Sequence, residues 1–278
     1  FLADGSTEAE PVYTTWSVAR TFFLLGGVYA VVMFASAQYL APPPKGYVPA
    51  GWDAEAAKAP GRQKQDLAQL TANESLRTRR FYFMWLMLFI NVTCGIAVIS
   101  VASPMAATML DFGPVEAGFL VGLIGVFNGL GRIAWASASD YLGRPLTFSL
   151  FFLIQIAAFA LLPNVQSAIL FQVLICLILT CYGGGFATVP AFLGDLFGTK
   201  QLGAIHGYTL TAWAAAGVAG PSVIIPLVKQ FAGEADTPAY YATVLYVFAG
   251  LFVVAFLVSL LMAADVRAKR RQMAVQPA

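Results

Sequence analysis

Residues 118–144 read GFLVGLIGVFNGLGRIAWASASDYLGR. This apolar run exceeds the roughly 20 residues that cross a bilayer, yet it carries Asn128 and Arg132 inside it. Gly118, Gly122, Gly125, Gly129 and Arg132 recur at spacings of four and three, which places them on one face of a helix. Phe119, Leu120, Leu123, Ile124, Phe127 and Leu130 fill the other directions. The arginine therefore sits on a seam of small residues, where helices pack closely or leave a cavity, and not among lipid-facing side chains. A cation at that depth is costly unless something anionic meets it, so it marks a functional site. The plainer alternative is a side chain that snorkels to water, because Asp140 follows about two turns later. The glycine seam, and Asn128 one turn away, favour the functional reading.

Composition sets the class. Of 278 residues, 59% are hydrophobic and only 11% charged, against about a quarter charged in an ordinary soluble domain. The apolar residues come in long blocks, which marks a polytopic helical membrane protein. Cys94, Cys176 and Cys181 lie inside those blocks and His206 is the only histidine. No disulfide framework, metal site or cofactor is therefore expected. Paired intramembrane carboxylates are also missing from the sequence, so enzyme chemistry has little to work with. Phe1 is not an initiator and no signal peptide precedes the first span. The chain reads as a fragment.

In chain order, residues 1–15 are polar and acidic, and the first span covers 16–40, stopping at Pro42-Pro43-Pro44. Residues 41–80 form the one long polar segment, read as a solvated linker whose TANESLRTRR end holds a short helix capped by Thr71 or Asn73. Further spans are expected at 81–101, 118–136, 146–162, 168–193, 205–228 and 241–262, and a basic tail follows. The fold class is thus an all-α membrane protein with about seven transmembrane helices. Arg267, Lys269, Arg270 and Arg271 of the tail, Arg144, Lys200 and the basic residues of 41–80 fall on one side by parity. That side is the cytoplasmic one. The opposite side has Lys229, Arg20 near a span end, and Asp4, Glu8, Glu10, Asp111, Glu116, Glu234 and Asp236. The last six spans form two triplets, each with a glycine-rich middle helix, a faint form of the transporter repeat. With nothing to carry the first residue outward, upstream helices are expected to be missing.

Two further stretches carry signals. CYGGGFATVPAF, residues 181–192, places three glycines and a proline in one span, and each weakens a helix. The expectation is an interrupted helix facing a cavity, with Tyr182 and Phe186, one turn apart, as its walls; tight packing through glycine is the alternative. The turn ASASDYLGRP sets Asp140 beside two helix ends, with Gly143 to turn and Arg144 to pair. It is either a tight loop or a gating latch.

That turn resembles the major facilitator signature G-x-x-x-D-x-x-G-R-[RK], departing from it at Ala136 and Pro145. FINVTCGIAVISVASPMA, FNGLGRIAWASASDYLGR, LTCYGGGFATVPAFLGDLFGTKQLGAIHG and LTAWAAAGVAGP together resemble the oxalate/formate antiporter family of the major facilitator superfamily. The resemblance implies that 1–40 is an outer loop with the last helix of an N-terminal half. It makes 41–80 the cytoplasmic central loop, 81–264 a six-helix C-terminal bundle, and 265–278 a basic cytoplasmic tail. It also implies that Arg132 binds a substrate carboxylate, with Asn128 beside it and Tyr182 and Phe186 lining the cavity. Trp213 occupies a position where family members that carry oxalate have lysine.

The leading expectation is a secondary active transporter of small carboxylates, working by alternating access in a bacterial inner membrane. Its partners are a carboxylate anion, a proton or counter-anion, the lipid bilayer and the missing N-terminal helices; nucleic acid is not one. Trp213 in place of lysine favours a monocarboxylate such as lactate, pyruvate or formate over oxalate. His206 is the candidate for proton coupling. A seven-helix receptor is the alternative.

Overall fold

Backbone groups inside a bilayer must find their hydrogen-bond partners within the chain, and a long apolar run does so as a helix. The computed structural model follows that rule. It describes residues 15–41, 44, 47–48, 67–232 and 236–275. Pro42, Pro43, Lys45, Lys58, Arg62 and Lys64, with the acidic Asp4, Glu8, Glu10 and Glu234, lie outside the described residues. The chain divides into two units, Phe1–Gln63 and Lys64–Ala278. The first contains α1, Thr15–Ala37, an apolar helix whose described side chains are largely exposed within the unit.

The second unit begins with a short helix, α2 (Ala72–Ser75). Long helices α3 (Arg79–Leu110), α4 (Pro114–Leu142), α5 (Arg144–Leu161) and α6 (Ala168–Phe197) follow. The next span is α7 (Leu202–Thr209), α8 (Thr211–Ala219), a π-turn at Gly220–Ile224 and α9 (Ile225–Ala232); α10 (Pro238–Val275) closes the chain. Among the described residues, seven helical stretches are long and apolar enough to cross a membrane.

Several boundaries differ from those expected. Pro104 lies inside α3 instead of beyond it, and the helix ends at Asp111 in the left-handed region at φ 54°. An Asp tolerates that conformation. α10 continues to Val275, so most of the basic tail is helical. The helix α6 runs unbroken through Gly183, Gly184, Gly185 and Pro190, while the break falls in the next span at Gly220 and Pro221. The second half of the supposed linker is docked: Leu67 N–H donates to Asp195 O and Leu70 N–H to Phe197 O, both at 2.9 Å, and Ala72 N–H donates to Gln201 Oε1 at 2.7 Å.

Lipid tails are as apolar as leucine, so contact between these helices rests on close packing more than on escape from water. The tightest approach is α4 on α6. A side-chain carbon added at Gly131 would collide with the Thr180 backbone, one at Gly183 with the Asn128 backbone, and one at Gly184 with the Trp135 side chain at 2.7 Å. The glycines of α6 are therefore contact points and not a break, and they face this unit's own helices. Across α5 and α10, Phe152 and Phe159 pack on Phe252 with ring centroids 5.9 and 5.5 Å apart, and Phe159 meets Phe248 at 5.7 Å. Such pairs each add roughly 0.5–1.5 kcal/mol. A polar exception joins α5 to α3: Gln155 Nε2 donates to Asn91 Oδ1 at 3.0 Å, and Asn91 Nδ2 and Gln155 Oε1 are buried without partners among the described residues.

The basic end of the unit is held by ion pairs. Asp265 near the end of α10 pairs with both Arg79 and Arg80 at the start of α3. α4 and α5 join through Gly143 alone, at φ 87° and ψ 139°, a backbone region that requires glycine. At α2, the Thr71 backbone N–H and hydroxyl each donate to Glu74 Oε2 at 2.8 Å. These bonds hold the Glu74 carboxyl below its ordinary range. The ionised form is the one the fold prefers, so this capping box is fully formed above the usual carboxylate pKa of about 4.3 and is lost as pH falls through the depressed value. Amide exchange at α2 is expected to accelerate only below that lower pH.

Gly131→Ala and Gly183→Ala are expected to destabilise this chain by about 1–3 kcal/mol, read as a lower unfolding temperature in detergent. Gly122→Ala should change little, since nothing lies within 4 Å of its added carbon. Gln155→Leu alone should cost about 1–3 kcal/mol by orphaning Asn91, while Asn91→Leu with Gln155→Leu should recover most of it.

Candidate functional site

The site grows out of the α4–α6 contact. Ala117, Leu120, Ile124, Gly131 and Ser139 are the buried residues of α4, and they form its inner face. The glycine seam lies on another face: nothing stands within 4 Å of a carbon added at Gly118, Gly122, Gly125 or Gly129. Of the two outcomes open to a small-residue seam, open space is the one found within this chain.

Arg132 follows Gly131 directly and is exposed on that open side. It lies ten residues before the end of α4, about 15 Å along the axis. Its side chain lies against α6, with Cζ 5.7 Å from the centre of the Phe186 ring. A guanidinium over an aromatic face gains about 0.5–2 kcal/mol. That contact does not neutralise the charge, and among the described residues Arg132 has no ion pair. Asp140, the nearest acid along α4, pairs with Arg144 instead.

Phe186 is the centre of an aromatic chain. Tyr182 meets it edge-on at 5.3 Å and 79°, and Trp213 of α8 meets it from the other side at 5.5 Å and 76°. Four of the residues singled out in the sequence, Arg132, Tyr182, Phe186 and Trp213, thus converge from three helices. Asn128 joins them less directly: it abuts Gly183, and its Oδ1 is buried without a hydrogen-bond partner.

The other two groups lie elsewhere. Arg144 donates to Ser139 Oγ and to the Asp140 carboxylate, closing a ring of contacts around Gly143 at the basic end. His206 sits half-buried on α7, with no ring contact or side-chain hydrogen bond to the Arg132 cluster among the described residues. The structure also supplies residues that the sequence reading missed. Trp85 stacks on Phe89 at 5.2 Å and donates from Nε1 to Thr211 Oγ1 at 2.9 Å, tying α3 to α8 two residues before Trp213. Trp135 Nε1 donates to Thr180 Oγ1 at 3.3 Å. Asn91 of α3 reaches the backbone at Gly185, where an added carbon would meet its Nδ2 at 2.5 Å. The lone amides Asn91 and Gln155 inside apolar runs were the available signal for the last of these.

Chemically, the arrangement offers an uncompensated cation with a flat, mostly apolar floor and one aromatic hydroxyl close by. It can hold a small anion. Among the described residues no cluster of His, Cys, Asp and Glu has the makings of a metal site.

Comparison with known proteins agrees with this architecture. A profile described as Major Facilitator Superfamily matches residues 11–221. The chain is also similar to an oxalate:formate antiporter of Oxalobacter formigenes, at 27% identity over 163 residues, or 58% of this chain. The aligned part is 38% of that relative's length. With the profile covering most of the chain and seven bilayer-length apolar helices in the described residues, the chain is an integral membrane protein and belongs to the Major Facilitator Superfamily.

Proposed function

We propose that the chain is the substrate-carboxylate-binding part of a secondary active transporter that works by alternating access, and that it holds a monocarboxylate at Arg132. The observation that carries this is Arg132 itself, inside the apolar run of α4, with its guanidinium over Phe186 at 5.7 Å and without an ion-pair partner among the described residues. A planar guanidinium grips one carboxylate through two parallel hydrogen bonds. The pairing also removes an isolated charge that would otherwise cost several kcal/mol in a low-dielectric cavity. Superfamily membership supports a transporter over a receptor. The named relative supports small carboxylates, one leaving as another enters.

Charge balance favours one carboxylate over two. Among the described residues no second cation contacts the aromatic cluster, and Trp213 presents a ring where the resemblance implies lysine in oxalate carriers. That ring suits a methyl or methine group. The glycine seam of α4, open within this chain, faces the opposing half of the transporter in this reading, and Asp140, Gly143 and Arg144 form a latch at the cytoplasmic end. The one-sided lysines and arginines of the sequence support a C-terminus on the cytoplasmic side, and the bacterial relative supports a bacterial inner membrane.

Uptake of labelled formate, lactate, pyruvate and oxalate into proteoliposomes holding the full-length protein tests the proposal. Arg132→Lys is expected to cut uptake at least tenfold by losing the paired hydrogen bonds, and Arg132→Ala to abolish it. Trp213→Lys should move preference toward oxalate. Oxalate carried better than every monocarboxylate, or full uptake by Arg132→Ala, would sink it. If a proton travels with the substrate through His206, then His206→Gln should flatten the pH dependence of uptake; an unchanged profile removes that histidine from the mechanism.

A further inference from the structure

A concavity lies away from Arg132, between α5 and α10 at the basic end. It is a groove of about 670 Å³, within the range that holds small ligands. Its α10 wall is a single stripe, Phe256, Leu260, Ala263, Arg267 and Arg270, spaced by three and four so that all face one way. The opposite wall runs Leu153, Leu150 and Leu146 along α5 and reaches Tyr141 at the α4–α5 turn. Both walls change character at the same level, from leucine and phenylalanine in the apolar part to two guanidiniums and a phenol at the mouth.

The two arginines at the mouth lack counter-charges. Asp265, two residues before Arg267, is taken by Arg79 and Arg80, and Asp140 by Arg144. Among the described residues neither Arg267 nor Arg270 has an ion pair. They stand where the apolar part of α10 gives way to charge, the place along a spanning helix where lipid headgroups are met, and there each lysine or arginine favours anionic lipid by about fivefold. A cation that merely meets bulk lipid needs no concave apolar wall beneath it. This groove supplies one.

We propose that this groove is a binding site for one anionic phospholipid, with the headgroup phosphate on Arg267 and Arg270 and an acyl chain along Leu146, Leu153 and Leu260. The polarity of the groove matches that amphiphile along its whole length. A soluble anion would use the mouth alone.

Native mass spectrometry of the delipidated full-length protein, titrated with dioleoyl phosphatidylglycerol or dioleoyl phosphatidylcholine, tests the site. Phosphatidylglycerol is expected to bind about tenfold or more tightly than phosphatidylcholine. Arg267→Gln with Arg270→Gln should erase that preference, while Arg271→Gln, one residue outside the groove, should keep it. Ala263→Phe should weaken both lipids by filling the apolar wall; if that variant does not fold, the arginine pair, exposed and without an ion pair among the described residues, decides the matter. The proposal is overturned by equal affinity for the two lipids, by a preference that survives loss of both arginines, or by an equal loss in Arg271→Gln. Competition by glycerol phosphate as effective as that by the lipid would also overturn it, reducing the groove to a plain anion site.

Discussion

The near-contact of two backbones, α4 against α6, is the constraint from which the rest of this bundle follows. It exists because Gly131 and Gly183 present no side chains where Thr180 and Asn128 arrive. In lipid there is little hydrophobic gain in bringing helices together, so a surface of small residues that admits close van der Waals contact is what selects one pairing over another. That pairing fixes the rotation of α4. Once Gly131 points inward, the next residue, Arg132, must point roughly 100° away, across Phe186 and toward the open side. The position of the cation is thus set by its neighbour's lack of a side chain.

Charge is distributed with the same economy. Arg79, Arg80, Arg144, Asp140 and Asp265 pair with one another at one end of the bundle, where water and headgroups screen them. Among the described residues Arg132, inside the apolar run of α4, has no such pair. Buried polar atoms left without partners, at Asn91, Thr93, Asn128 and Gln155, belong to α3, α4 and α5, the helices that surround α6 near its glycines. A bundle optimised only for stability would not leave these groups unsatisfied. Asn128 and Asn91 lie against Gly183 and Gly185 of α6, and Thr93 against Gly220.

Bilayer-length apolar runs made the spans legible from the chain alone, since a membrane helix has one length scale and one way to satisfy its backbone. Proline and glycine were less reliable guides. Three glycines at 183–185 look like a break on local propensity, but neighbouring helices occupy the space they leave and the helix continues. Pro104 is likewise absorbed into α3. Arg132 was conspicuous as a lone charge, and Tyr182 and Phe186 as one-turn neighbours. That Trp213 closes the row from α8 is a tertiary fact that no spacing within one helix reveals; only the likeness to a known family pointed there. Gly131 escaped notice because it lies off the four-residue rhythm of its neighbouring glycines, and that offset is what puts it on the packed face.

The π-turn at Gly220–Ile224 gives the span that carries Trp213 an inserted residue in its register. In an α-helix one residue corresponds to about 100° of rotation, so the wide turn resets the phase between α8 and α9. It lets α9 face α10 while Trp213 still faces Phe186. Gly220 sits against the Thr93 carbonyl, where an added carbon would lie 2.6 Å away, so the turn is held close against α3. The span is therefore two short rods that meet at one fixed point, each with its own partner: Trp213 on Phe186 and α9 on α10.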